Sequence, residues 1–130
     1  MIARHHEELE AWQLCDAIRQ RLGPIVARRD WRADVDLRSQ VRRAARSACS
    51  NVAEGFWRYK HPEFAHFVKI ARASLAELLS HFTEAARDGL LSPEEHQSLV
   101  NDTDVALKVT GGLMYYLLTT PTPGLPGSGE

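Results

Sequence analysis

From Leu37 to Phe56 the chain sets an apolar residue at every third or fourth position: Leu37, Val41, Ala44, Ala48, Val52 and Phe56. At about 100° per residue these fall on one face of a helix, whereas on a strand they would scatter over both faces. Gln40, Arg43, Ser47, Asn51, Glu54 and Arg58 fall beside them, so one segment specifies an apolar seam and a polar stripe together. The same spacing recurs from about Glu7 to Arg28, with Ala11, Cys15, Ile18, Leu22 and Ile25 as the seam. Glu7, Glu8 and Glu10 suit the positive end of that helix dipole. Pro24 lacks the amide proton for a bond to residue 20, which predicts a bend or a fresh start after Gly23.

Arg29 to Asp34 reads as a connection, and Asp34 or Asp36 as the cap of a helix over Val35 to Arg58. Lys60-His61-Pro62 breaks that helix and puts a proline in the first turn of the next. There Phe64, Val68, Ala71, Leu75, Leu78, Leu79, Phe82 and Ala86 form the seam, and Gly89 ends it. Ser92-Pro93-Glu94-Glu95 is a cap, a first-turn proline and a capping-box carboxylate in order, opening a last helix to about Thr119. Short links make neighbouring helices antiparallel. The fold class expected is all-α, an antiparallel up-and-down four-helix bundle over residues 1–119. Residues 120–130, with three prolines and three glycines, are expected to form a flexible tail.

A chain of 130 residues that is 44% hydrophobic can enclose one core without metal or disulfide support. Cys15 and Cys49 sit on helical seams without Cys-x-x-Cys spacing and read as reduced core residues. No apolar run reaches the roughly 18 residues of a membrane span, and Met1-Ile2-Ala3-Arg4-His5-His6 lacks a signal peptide's apolar centre, so a cytoplasmic location is expected. A net charge of −1 gives no global attraction to nucleic acid; any such binding must come from a local patch.

The last helix carries two stripes. Leu99, Val100, Thr103, Leu107, Met114, Leu117 and Leu118 are expected to face the core, while Val105, Val109, Gly112 and Tyr116 line the opposite side. A regular apolar ridge toward solvent, with a glycine for close approach, marks an association surface, and Trp12 at a helix end is expected to join it. Arg43, Asn51 and Glu54, with Ser74, Glu77 and His81 on the following helix, form a polar stripe beside the seams. It reads as a buried network that fixes register, or else as a ligand- or RNA-contacting surface. Arg38, Arg42, Arg46, Arg58 and Lys60, with Trp57 on the same outer face, make the local basic surplus that nucleic acid would need.

Catalytic and metal readings find less support. Glu63-x-x-His66 occurs once, where a di-iron bundle needs two such elements. Glu77, His81 and Glu84 form a row without a fourth ligand. No phosphate loop follows a strand, and no histidine is placed by sequence beside Ser47, Cys49 or Ser50. Neither a metal, a cofactor nor an enzymatic activity is expected.

Leu9 with Trp12, Gln40 with Arg42-Arg43-Ala44, Ser50-Asn51-Val52-Ala53-Glu54-Gly55 and Ser74-Leu75-Ala76-Glu77-Leu78 together resemble the four-helix-bundle family encoded within intervening sequences of bacterial 23S rRNA genes. The resemblance spans about Glu8 to Leu118. It implies an up-and-down bundle assembled into a ring-like homo-oligomer, a pentamer, without a settled biochemical activity. With the basic strip, it implies a non-enzymatic scaffold for structured RNA or an RNA-handling protein. A related branch is similar to the accessory variability determinant of diversity-generating retroelements, which partners a reverse transcriptase. That role is the alternative, with a small metal-binding bundle behind it.

Overall fold

The computed structural model describes residues 3–124. A single 3-10 turn, His6–Glu8, precedes five helices: α1 Glu10–Val26, α2 Arg29–Ala33, α3 Val35–Phe56, α4 His61–Arg87 and α5 Pro93–Thr119. Four are long, and among the described residues there is no strand.

The boundaries follow from local chemistry. Asp34 caps α3 by accepting the Leu37 amide at 3.1 Å. Gly89, at φ +74°, ends α4: Leu90 N–H reaches the Ala85 carbonyl at 2.8 Å and Gly89 N–H the Ala86 carbonyl at 3.2 Å. That pair of bonds needs a left-handed residue between them, which glycine supplies without a Cβ clash. Ser92 and Glu95 close the expected capping box in both directions, at 3.0 and 3.1 Å. Glu95 also pairs with Arg28 across the link between α1 and α2. The Arg28 hydrogen bond, then the bond from the Ser92 amide, hold the Glu95 carboxyl down at about 2. A carboxylate lowered on folding stabilises fully above its ordinary 4.5 and loses that contribution as pH falls toward about 2. Glu95→Ala is therefore expected to cost about 1–2 kcal/mol at neutral pH and to flatten the stability profile over that acid window, read by urea unfolding against pH.

α1 packs on α3 and α5, and α4 packs on α3 and α5, so the long helices close a cycle around one core. All expected α1 seam residues are buried, as are Leu37, Val41, Ala44, Ala48 and Val52 of α3 and Phe64, Val68, Ala71, Leu75, Leu78 and Phe82 of α4. Ala44, Ala45, Ala48 and Gly55 are small because α3 lies close to its neighbours. A Cβ on Gly55 would sit 2.7 Å from Phe64 Cδ1 and 3.1 Å from the Phe64 carbonyl oxygen, and the backbone oxygen has nowhere to go. The glycine closing Ser50–Gly55 is thus a point of contact between α3 and α4. Gly55→Ala is expected to lower stability by about 1–3 kcal/mol despite alanine's higher helix propensity, measured by thermal melting.

Several details depart from the sequence reading. α1 starts at Glu10 rather than Glu7 and ends at Val26 rather than Arg28, and it makes no fresh start after Gly23, because Pro24 stands in its last turn, where only one bond is lost. Arg29–Ala33 is a helix, not a bare connection, and Trp31 within it is 0% exposed, its indole N–H donating to the Leu90 carbonyl at 2.8 Å. α3 stops at Phe56, two residues short of the expected Arg58. Thr120–Gly124 are held against the start of α4: His61 N–H donates to Thr122 Oγ1 at 2.8 Å, and Tyr59 O–H to the Pro123 carbonyl at 2.9 Å. The remainder of the expected tail, residues 125–130, lies outside the described residues.

Candidate functional site

Residues four apart on a helix lie one turn apart, about 6 Å along the axis, so α3 carries Arg38, Arg42 and Arg46 as a row. Where α3 meets α1 they border a cavity of about 250 Å³ with Arg19, over a floor of Leu22, Gly23, Val26 and Ala45. Arg38 Nε donates to the Val26 carbonyl at 2.8 Å, and Arg19 lies 3.5 Å from Asp16. Among the described residues neither Arg42 nor Arg46 enters an ion pair. Positive charge is therefore concentrated locally in a chain whose net charge is −1.

Two further hollows adjoin this cavity. On α3 itself, Val35, Ser39, Arg43 and Ser47 border an open hollow sharing Arg38, Arg42 and Arg46. Toward the other end, His6, Trp12, Cys49 and Ser50 line a hollow that shares Arg19 and Arg46. Trp57 stands beyond it, 57% exposed, with its indole N–H on His6 Nδ1 at 3.1 Å. Trp12 is half-buried under the His6 ring, at 5.1 Å between centroids. Burial pushes the Cys15 thiol up to about 12 and the Cys49 thiol up to about 11, so both stay neutral, weakly nucleophilic thiols at physiological pH.

The expected basic strip divides. Arg58 turns from the groove to Glu54 at 3.2 Å and lies 5.0 Å over the Phe67 ring, while Lys60 is exposed at the cap of α4. Arg19 takes their place, from a helix the strip did not include. It stands next to Ile18 on the margin of the α1 seam, and pairing consecutive helices across their short link would have set that margin against α3.

The polar stripe divides as well. Ser74 donates to Ser47 Oγ at 2.8 Å, and Asn51 donates to the Ser47 carbonyl at 2.9 Å, joining α4 to α3. A turn away, Glu77 accepts from His81 at 2.9 Å and from Arg43 at 3.4 Å. The His81 hydrogen bond, supported by Arg43, holds the Glu77 carboxyl below its ordinary range. Only Ser74 and His81 of this group are buried; Arg43 and Glu54 are exposed, and Glu54 contacts Arg58 rather than Arg43 or Asn51. Its removal leaves no buried partner behind.

On α5, Val105 and Tyr116 are each 50% exposed, and a Cβ on Gly112 would meet nothing within 4 Å. Val109, expected on the same ridge, is half-buried and packs against the core, because its angle brings it to the margin of the buried face. Leu118, expected inward, is 65% exposed one position past the buried Leu117. Trp12 lines the His6 hollow. Among the described residues no three histidine, cysteine or carboxylate side chains gather as a metal site, and no helix is long and apolar enough to cross a membrane.

Residues 7–112, from the 3-10 turn through most of α5, match the model of the 23S rRNA-intervening sequence protein family. The chain belongs to that family. Among curated proteins none matches it. The span shared with the 23S rRNA-intervening sequence proteins holds all four groove arginines, the Ser47–Asn51–Ser74 cluster and Gly55. Tyr116 and the segment latched by His61 lie beyond it.

Proposed function

We propose that this member of the 23S rRNA-intervening sequence protein family is a non-enzymatic cytoplasmic scaffold that binds structured RNA through the groove between α1 and α3. Each subunit is an antiparallel up-and-down four-helix bundle, and copies associate through the outer ridge of α5 into a ring. Five copies is the number implied by the family resemblance. The carrying observation is the row Arg38, Arg42 and Arg46, reinforced by Arg19, with three of these four guanidinium groups outside any ion pair among the described residues. Phosphates supply the missing counter-charge, and the exposed Trp57 offers a face on which a base stacks. Repetition around a ring turns a weak patch into a useful one through effective concentration.

Fluorescence anisotropy with a structured rRNA fragment, at low and physiological salt, tests the reading. Binding should be measurable at low salt and fall steeply as salt rises. No binding at low salt by an intact oligomer would refute it. Light scattering tests the assembly: wild type should run as a multimer, and Val105→Glu, which sets a charge in the ridge, should shift the mass toward one chain while helical circular dichroism persists. A wild-type mass of one chain at micromolar concentration would remove the ring.

A further inference from the structure

A strand that merely follows α3 needs one guanidinium per phosphodiester, since each such group carries a single negative charge. The part of the groove between α1 and α3 holds more than that. Arg19, Arg38, Arg42 and Arg46 all border one cavity of about 250 Å³, and among the described residues Asp16, beside Arg19, is the carboxylate paired with any of them. We propose that this cavity binds a terminal phosphate group, a phosphomonoester or an oligophosphate, carried by an RNA end or by a free nucleotide. For the RNA end the proposal rests on the RNA-binding reading above; for the nucleotide it stands alone.

Three features fit this chemistry. A phosphomonoester carries about −1.5 to −2 charges at neutral pH and three strong acceptor oxygens, so it rewards several converging guanidinium groups where a diester satisfies one. Arg38 is already fixed by its Nε bond to the Val26 carbonyl, which leaves its two terminal nitrogens for a bidentate contact. The floor is made of Leu22, Val26 and Ala45, all buried, which lowers the local dielectric and suits the apolar face of a ribose or base. Gly23 belongs to the same lining, and a Cβ there would meet nothing within 4 Å. The volume a side chain would take is left open, and the cavity is far too small for a duplex.

The test compares one short oligoribonucleotide bearing a 5′-phosphate, a 3′-phosphate or hydroxyls at both ends, by anisotropy at fixed salt. The phosphorylated forms should bind about tenfold or more tightly than the hydroxyl form. Gly23→Leu sets a bulky apolar side chain at the edge of the cavity and keeps every arginine, so it should erase that difference while the hydroxyl form still binds. Lys69→Glu, which lowers the net charge by two units outside the groove, should preserve it. Labelled ATP, with pyrophosphate as competitor, is titrated in parallel. Nucleotide binding that is lost in Gly23→Leu supports the site and names the free nucleotide as a source; a preference confined to phosphorylated RNA supports it and names the RNA end. Equal binding of all three oligonucleotides together with no nucleotide binding overturns the proposal yet leaves RNA binding standing. If no oligonucleotide binds, the RNA reading fails, and ATP binding alone decides the cavity.

Discussion

Replacing Trp31 by alanine is expected to lower stability by about 3–5 kcal/mol, a large part of the roughly 5–15 kcal/mol available to a domain of this kind. Trp31 is the largest fully buried side chain, on a five-residue helix that has little else to hold it. Its indole N–H closes on the Leu90 carbonyl between α4 and α5, so the residue ties the α1–α3 link to the α4–α5 link. Alanine would leave a cavity and an unpaired, partly buried carbonyl together. Trp31→Phe keeps most of the apolar area and should cost about half as much. Urea unfolding followed by circular dichroism measures both, and a loss below about 1 kcal/mol for the alanine variant would show that the neighbouring side chains collapse into the space.

Arg42→Glu with Arg46→Glu is expected to weaken RNA binding on the order of a hundredfold at low salt, because each change removes an attraction and adds a repulsion. The loss should be similar across unrelated RNA sequences, and the salt slope should shrink by about 2. Both residues are exposed and outside any ion pair among the described residues, so the fold should tolerate the change. Trp57→Ala tests a different contact: a stacked base would make its effect insensitive to salt but sensitive to the base supplied. A double variant that binds like wild type would place RNA elsewhere on the molecule.

The long helices were legible in the sequence because each repeats its apolar spacing for about four turns or more. Ser92 with Glu95 and the glycine at position 89 act through bonds to residues three to five positions away, which is the range a sequence displays directly. Trp31 was not legible, since five residues are too few to show a period and its partner Leu90 lies 59 positions away. The site divided along the same line. Arg38, Arg42 and Arg46 share one helix and were found together, whereas Arg19 joins them only through the packing of α1 on α3. Arg58 and Lys60 continue the run of charge in sequence, but α3 ends at Phe56 and the change of direction carries them away from the groove. Glu54 fails as a partner of Arg43 because both lie on α3 eleven residues apart, about 16 Å along the axis, whereas Arg58 stands one turn on.

The bond that His61 makes to the C-terminal segment has a fixed direction. The acceptor, the Thr120 carbonyl, has no proton to give, so Nδ1 of the imidazole, 2.7 Å away, must carry one. Side chain and backbone amide of one residue thus grip the C-terminal segment together, at Thr120 and Thr122, and with Tyr59 on the Pro123 carbonyl they carry the chain from the end of α5 back to the start of α4.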